Sequence, residues 1–413
     1  PLGTEGLKHG GPDAENRSAG YLTTSSDLVD AQTPRRLSPS LSEYLPMERL
    51  PWYTDVSTHP AQSKGEVVTN ISAASLGENR VMTTTSSMRQ GMFHGMGQSV
   101  KTSWSILTLS HSDGEPSITS ETIPGPPNPK GVCDVQLVRV ADTVVAYGSN
   151  LPSTAHSDQS GLWFMWVYSI ATDKWTEVPY IDGDTPSLRQ RPLLFAVGDS
   201  LVFRGGVPYA VVRVPKTDTW ELSVQTHNWT YKGECDAVVD GLPLLVDLHS
   251  GQGSTIGETY HAFKRGLHPE KLLFYHLQYS GGNWDVEPDL WGSSLTGVAY
   301  SQHAWQGSAS AVSLSDQHQL VIYQKKGEWS WEPVTTECVV RDCISLDVVP
   351  LEVLSVDEKL QNATVLLVNP ETLLIVCAET YIVMTLDPRV LCRFHSSMVG
   401  FHEFCDRERD DSG

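Results

Sequence analysis

An aromatic residue returns at the head of a strand-like segment six times along this chain, at Trp104, Trp166, Trp220, Tyr275, Trp329 and Tyr381. The intervals are 62, 54, 55, 54 and 52 residues. A near-constant interval of that size implies one supersecondary unit copied many times over. Trp166–Trp175 and Trp220–Trp229 show the frame most fully. Each has Trp at both ends, Ser at the fourth position, Thr at the seventh, and apolar residues at alternate positions. Such alternation marks a half-buried hairpin, because successive strand side chains point to opposite faces.

A second hairpin precedes each aromatic. The six spans are 70–82, 135–148, 193–206, 237–246, 311–322 and 365–375. Each is two runs of strand-forming residues joined by a short polar turn. A unit therefore holds four strands: an a–b hairpin, a connection, then a c–d hairpin. One such unit has two exposed edges and faces it cannot bury alone. Six units set around an axis bury those faces against each other. The predicted fold is all-β, a six-bladed β-propeller of four-stranded blades over residues 66–400, with a lead-in segment at 51–65. Residues 1–50 are rich in Ser, Thr, Pro, Gly and charge. They have too little apolar surface to offset chain entropy, so a disordered arm is expected there. Residues 401–413 are expected to form a charged tail.

Two units carry a more specific signature. One is Leu201-Val-Phe-Arg-Gly205-Gly206 followed by Trp229, and the other is Tyr168 followed by Trp175. This pattern resembles the kelch repeat, in which a hydrophobic run ends in Gly-Gly and a Tyr and a Trp follow at fixed spacing. The resemblance implies a kelch-like propeller. The second unit reads Tyr147-Gly148-Ser149 at the Gly-Gly position. The fifth and sixth have Cys338 and Val390 where the second Trp stands.

The formal net charge of −20, from 49 acids and 29 bases, argues against a nucleic-acid partner and against anionic membranes. It favours a basic protein partner. No run approaches the roughly 18 apolar residues of a membrane span. Seven cysteines, with no CxxC and no zinc spacing, fit a reducing cytoplasmic or nuclear compartment. Four sequons, at Asn16, Asn70, Asn228 and Asn362, keep secretion as the alternative.

No chemistry-bearing constellation is complete. Ser110-His-Ser-Asp113-Gly114 resembles a sialidase-type box only faintly and reads as a polar turn. Asp247 and His249 share a strand face, but a metal wants three or four ligands. Gly91–Gly97 lacks the Lys-Ser/Thr of a phosphate loop. The pairs Cys338/Cys343 and Cys377/Cys392 read as buried, inert thiols. The repeat aromatics read as core. No catalytic residue, metal or cofactor is therefore expected.

Loop length points to recognition instead. The connection between strands b and c is short at Lys325–Gly327 and Ala378–Thr380, longer at 149–161 and 207–217, and longest at 250–271 in the fourth unit. That insertion carries Tyr260, His261, Phe263, Lys264 and Arg265. Aromatic and basic groups on a long loop of a rigid scaffold suit a protein contact. The expected function is a non-catalytic protein-interaction scaffold. The alternatives are an extracellular glycan-binding or glycan-processing propeller and a structural subunit of a large assembly.

Overall fold

The computed structural model describes residues 51–390, apart from 62–66, 90–98, 113–114, 128–131, 151–162, 182, 191, 209–215, 235–237, 240–241, 244–252, 268–271, 290–308, 326–334, 345–347, 353 and 355–362. The expected N-terminal arm and C-terminal tail lie outside the described residues. So do Trp329, the Gly91–Gly97 segment, Asp247 and His249.

The described chain opens with β1 (Tyr53–Pro60) and then runs through the blades in order. Blade one is β2 (Val67–Gly77), β3 (Arg80–Arg89), β4 (Ser99–Ser112) and β5 (Glu115–Thr122). Blade two is β6 (Val132–Val140), β7 (Thr143–Asn150), β8 (Trp163–Ser169) and β9 (Lys174–Glu177). A two-residue strand, β10 (Arg189–Gln190), precedes blade three. That blade is β11 (Leu193–Val197), β12 (Ser200–Arg204), β14 (Asp218–Ser223) and β15 (Asn228–Glu234), with β13 (Val207–Pro208) pairing back to β10. A small hairpin, β16 (Val238–Val239) and β17 (Leu242–Pro243), leads to blade four. Blade four is β18 (Gly253–Ile256), β19 (Thr259–Leu267), β20 (Leu272–Ser280) and β21 (Asn283–Asp289). Blade five is β22 (Ala309–Ser313), β23 (His318–Lys325), β24 (Thr335–Asp342) and β25 (Val348–Pro350). Blade six is β26 (Thr364–Asn369), β27 (Thr372–Val376) and β28 (Thr380–Leu386), completed on its outer edge by β1.

Every blade is a four-stranded antiparallel sheet. The first strands β2, β6, β11, β18, β22 and β26 each pack against the next, and β26 returns to β2. The ring is therefore closed, with six blades. Its core lies in the seams. One apolar cluster joins blades one and two through Leu76, Met82, Leu137 and Val144, and another joins two and three through Val145, Met165, Leu201 and Phe203. Phe195, Val202, Tyr260 and Tyr279 join three and four. Leu320, Val340, Leu373 and Ile382 join five and six, and Ile71, Val81, Leu366 and Val383 join six and one.

Four features differ from the sequence reading. The a–b hairpin of blade four is Gly253–Leu267, not Ala237–Val246, whose residues supply only β16 and β17. The turn at Gly257-Glu258 explains this: Gly257 takes a φ of +58°, and a two-residue turn there couples two strands whose composition looks polar. In blade five the third strand is β24, so Cys338 lies on it, and the equivalence with Trp175 and Trp229 fails. The propeller also starts earlier than residue 66, because β1, read as lead-in, is a blade strand. Finally, Trp104, Trp166, Trp220, Tyr275 and Tyr381 all sit on third strands, yet Trp166 and Trp220 are only half-buried.

Candidate functional site

The residues expected on a fourth-blade loop lie on β19, in register with β20. Tyr260 is buried and stacks on Phe195 of the neighbouring blade, with ring centroids 3.8 Å apart and planes at 14°. Its phenol is pushed well up by burial, against the nearby charge of Arg204. Gly253 lies against its hydroxyl and against the His261 carbonyl, so any side chain at 253 would collide with both. His261 is buried as well. Burial, then the charge of Arg341, lowers its imidazole to about 4, so it is neutral at pH 7. Phe263, Lys264 and Arg265 pair with His276, Tyr275 and Phe274 along the same strand. The residues expected on a loop therefore lie on a blade strand, and the seam with blade three claims Tyr260.

The seam between blades four and five is polar among the described residues. Gln319, fully buried, donates to Ser254 Oγ at 2.8 Å and to the His261 carbonyl at 3.1 Å. Ser313 donates to the Thr255 carbonyl at 2.6 Å. Arg341, also fully buried, sits across from Gln319 on β24. At the adjacent turns, Ser315 Oγ meets His318 Nδ1 at 2.8 Å, and Asp342 Oδ2 stands 3.8 Å from His318 Nε2. Cys343 ends this cluster. Burial, partly opposed by Arg341, pushes its thiol up to about 12, which leaves it unreactive. Cys338 and Cys377 are buried too.

Blades three and four are joined by a tyrosine–carboxylate pair. Tyr279 donates its hydroxyl to Glu221 Oε1 at 2.7 Å, and Lys232 Nζ lies 2.7 Å from Glu221 Oε2. A tyrosine can serve as a nucleophile when an adjacent base activates it. Here the phenol is fully buried, and burial followed by Glu221 raises its pKa well beyond the normal range. The group acts as a hydrogen-bond donor between blades.

The side chains best placed to meet a ligand gather where blade two hands over to blade three. Arg189 is fully buried there. It donates to both carboxylate oxygens of Asp218 (2.5 and 2.9 Å), to the Gly205 carbonyl (3.0 Å), and to the Ser187 carbonyl and hydroxyl (2.8 and 2.9 Å). Burial alone would raise the Asp218 carboxyl, but Arg189 and the Trp220 indole outweigh it and hold it below its ordinary value. Trp220 Nε1 donates to Asp218 Oδ2 at 2.8 Å, which fixes the indole. Tyr231, 51% exposed, pairs with Trp220 across β14 and β15, with ring centroids 5.1 Å apart. Ile181, in the connection from β9 to β10, is also 51% exposed. Tyr180 and Trp220 pack on the same buried cluster. A locked charge pair thus orients a half-buried Trp beside an exposed Tyr.

The repeat frame places Trp220 in the core and marks neither Tyr231 nor Arg189. The alternation Trp229, Tyr231 did hold a signal, since both share Trp220's face. Arg189 had none, because Asp218 and the Gly205 carbonyl lie 29 and 16 residues on.

No protein-family model matches the chain, and no curated protein matches it significantly. Among solved structures, YjhT is similar over 78% of this chain and 95% of its own, at 12% identity and a TM-score of 0.44. A Trypanosoma rangeli sialidase in complex with the inhibitor DANA is similar over 85% of this chain, at 11% identity and a TM-score of 0.46. A mutant of that sialidase displaying trans-sialidase activity aligns over 82%, at 10% identity and a TM-score of 0.44. The matches span 62% and 59% of the two sialidase chains.

Proposed function

We propose that this chain is a kelch-like propeller that binds glycans outside the cell without turning them over, at the junction of blades two and three. The observation that carries this reading is the aromatic pair: exposed Tyr231 beside Trp220, whose ring is fixed through Asp218 by buried Arg189. A sugar ring offers a C–H face and a rim of hydroxyls. Rigid aromatics with few torsions meet the first at low entropic cost, and their polar edges serve the second. The likeness to sialidase propellers is one of fold, and the reading rests on this chain's own residues. A protein-contact role lost its first support when the fourth-blade loop proved to be a strand. One observation still favours it, the exposure of Ile181 in the same junction.

A panel of neutral and acidic oligosaccharides, read by tryptophan fluorescence and calorimetry, tests the proposal. Binding is expected, with Tyr231→Ala weakening it about tenfold, as expected for losing one aromatic contact of ~1 kcal/mol or more. Its melting temperature should stay unchanged. An empty panel, or equal binding by the variant, overturns it. With an empty panel, weaker capture of a protein partner by Ile181→Asp would support the protein reading.

A further inference from the structure

Two sequons fall on described strands, and the fold treats them in opposite ways. In Asn70-Ile71-Ser72, both polar side chains are committed to the next blade. Asn70 Nδ2 donates to the Val135 carbonyl at 2.8 Å, and Ser72 Oγ accepts from the Leu137 amide at 2.8 Å. Ile71 between them is buried in the seam of blades six and one. This tripeptide clamps β2 to β6, and an oligosaccharide on Asn70 would hold those strands apart.

Asn228-Trp229-Thr230 is laid out the other way. It opens β15, the outer strand of blade three, directly after a turn in which His227 takes a φ of +57° and its amide bonds the Ser223 carbonyl at 2.9 Å. Alternation sends Trp229 inward, edge-on to Phe203 with centroids 5.7 Å apart. It sends Asn228 and Thr230 together to the other face, and both are exposed. Acceptor amide and hydroxyl therefore share one open face at a hairpin end, where a bulky, solvated group costs no packing.

We infer that Asn228 is an N-glycan acceptor and that Asn70 is a closed one. In the transfer, Asn228 Nδ2 attacks the anomeric carbon of a lipid-pyrophosphate-linked oligosaccharide. The carbon–nitrogen bond forms as the bond to the pyrophosphate oxygen breaks. The lipid pyrophosphate leaves with the electron pair, and the amide proton passes to a base of the transferase. The site is independent of the ligand proposed above, since Asn228 and Thr230 face away from Tyr231 along β15.

The test is to secrete the full chain from a eukaryotic host behind a cleavable leader, then release glycans enzymatically in heavy-oxygen water and map peptides. Labelled aspartate is expected at 228 and unlabelled asparagine at 70, with Asn228→Gln losing the mass of one glycan while its melting temperature holds. Secreted protein unlabelled at 228 overturns the assignment. Folded, secreted protein labelled at 70 overturns the claim that the clamp closes that sequon.

Discussion

Arg189 uses its whole guanidinium inside the protein, on one carboxylate, two carbonyls and one hydroxyl. A buried charge so held is costly to disturb from one side, because its partner is then left buried and unpaired. Arg189→Lys keeps the charge but loses the fork. It should lower unfolding free energy by about 3 kcal/mol in urea melts, and it should loosen Trp220, seen as a red-shifted indole emission. A fully stable variant would mean that Asp218 finds other donors. His261 yields a prediction of a different kind. Its folded pKa is depressed to about 4 from 6.5. Between those values the unfolded chain takes up a proton that the folded chain refuses, so stability falls as pH falls through that window. The loss should be on the order of 3 kcal/mol from this group. Asp218, also depressed, adds its own loss at lower pH, as its carboxylate is protonated. Urea midpoints at about pH 7 and about pH 4.5 measure the slope. His261→Gln should flatten it, and an equally steep variant would assign the slope elsewhere.

At the scale of elements, most of the blades could be read because their signal is local. Gln136–Tyr147, Leu193–Arg204 and Val365–Ile375 are apolar runs around short turns, and each pairs as a hairpin. Blade four differs because the apolar run Ala237–Val246 looks more strand-like than Gly253–Leu267, which holds three Gly, a Ser, two Thr, a Glu, a His, a Lys and an Arg. What makes the latter a hairpin is non-local: Tyr260 stacks on Phe195, and Thr255 Oγ1 bonds the Ala196 carbonyl in the adjacent blade. The candidate site was half legible, since the Trp220 frame marked the strand but not the exposure of Tyr231 beside it. The same argument predicts that Gly253→Ala is destabilising although its backbone is ordinary, because the new methyl meets the Tyr260 hydroxyl and the His261 carbonyl. A loss of about 1–3 kcal/mol is expected. Urea melts of the variant measure it, and a midpoint equal to that of the unchanged chain would show that the Tyr260 ring and the His261 carbonyl give way without cost.

At the scale of the whole molecule, the ring is held shut by its two ends. β1 pairs with β28 from Tyr53↔Leu386 to Pro60↔Thr380, and the Ala61 amide continues the ladder to the Glu379 carbonyl at 2.7 Å. Just ahead of it, Trp52 is buried among Leu351, Leu354, Leu386 and Val390. Its indole donates to the Glu352 carbonyl at 3.0 Å, and its own carbonyl accepts from the Asp387 amide at 2.9 Å. One short segment therefore ties blade five to blade six and completes the last sheet. Without it, β28 is an open edge and a large apolar cluster faces water. A chain starting at residue 51 should melt in one transition like the full chain, whereas one starting at residue 62 should lose cooperativity and associate through the exposed edge. A synthetic peptide of residues 51–61 should restore a single transition to the shorter chain, and the same peptide with Trp52→Ala should do so only at far higher concentration. The expected penalty for that truncation, about 3–5 kcal/mol, corresponds to a factor of a hundred or more in peptide affinity. If the chain starting at 62 melts like the full chain, the ring closes without its terminal strand, and the stability of blade six then rests on β26, β27 and β28 alone.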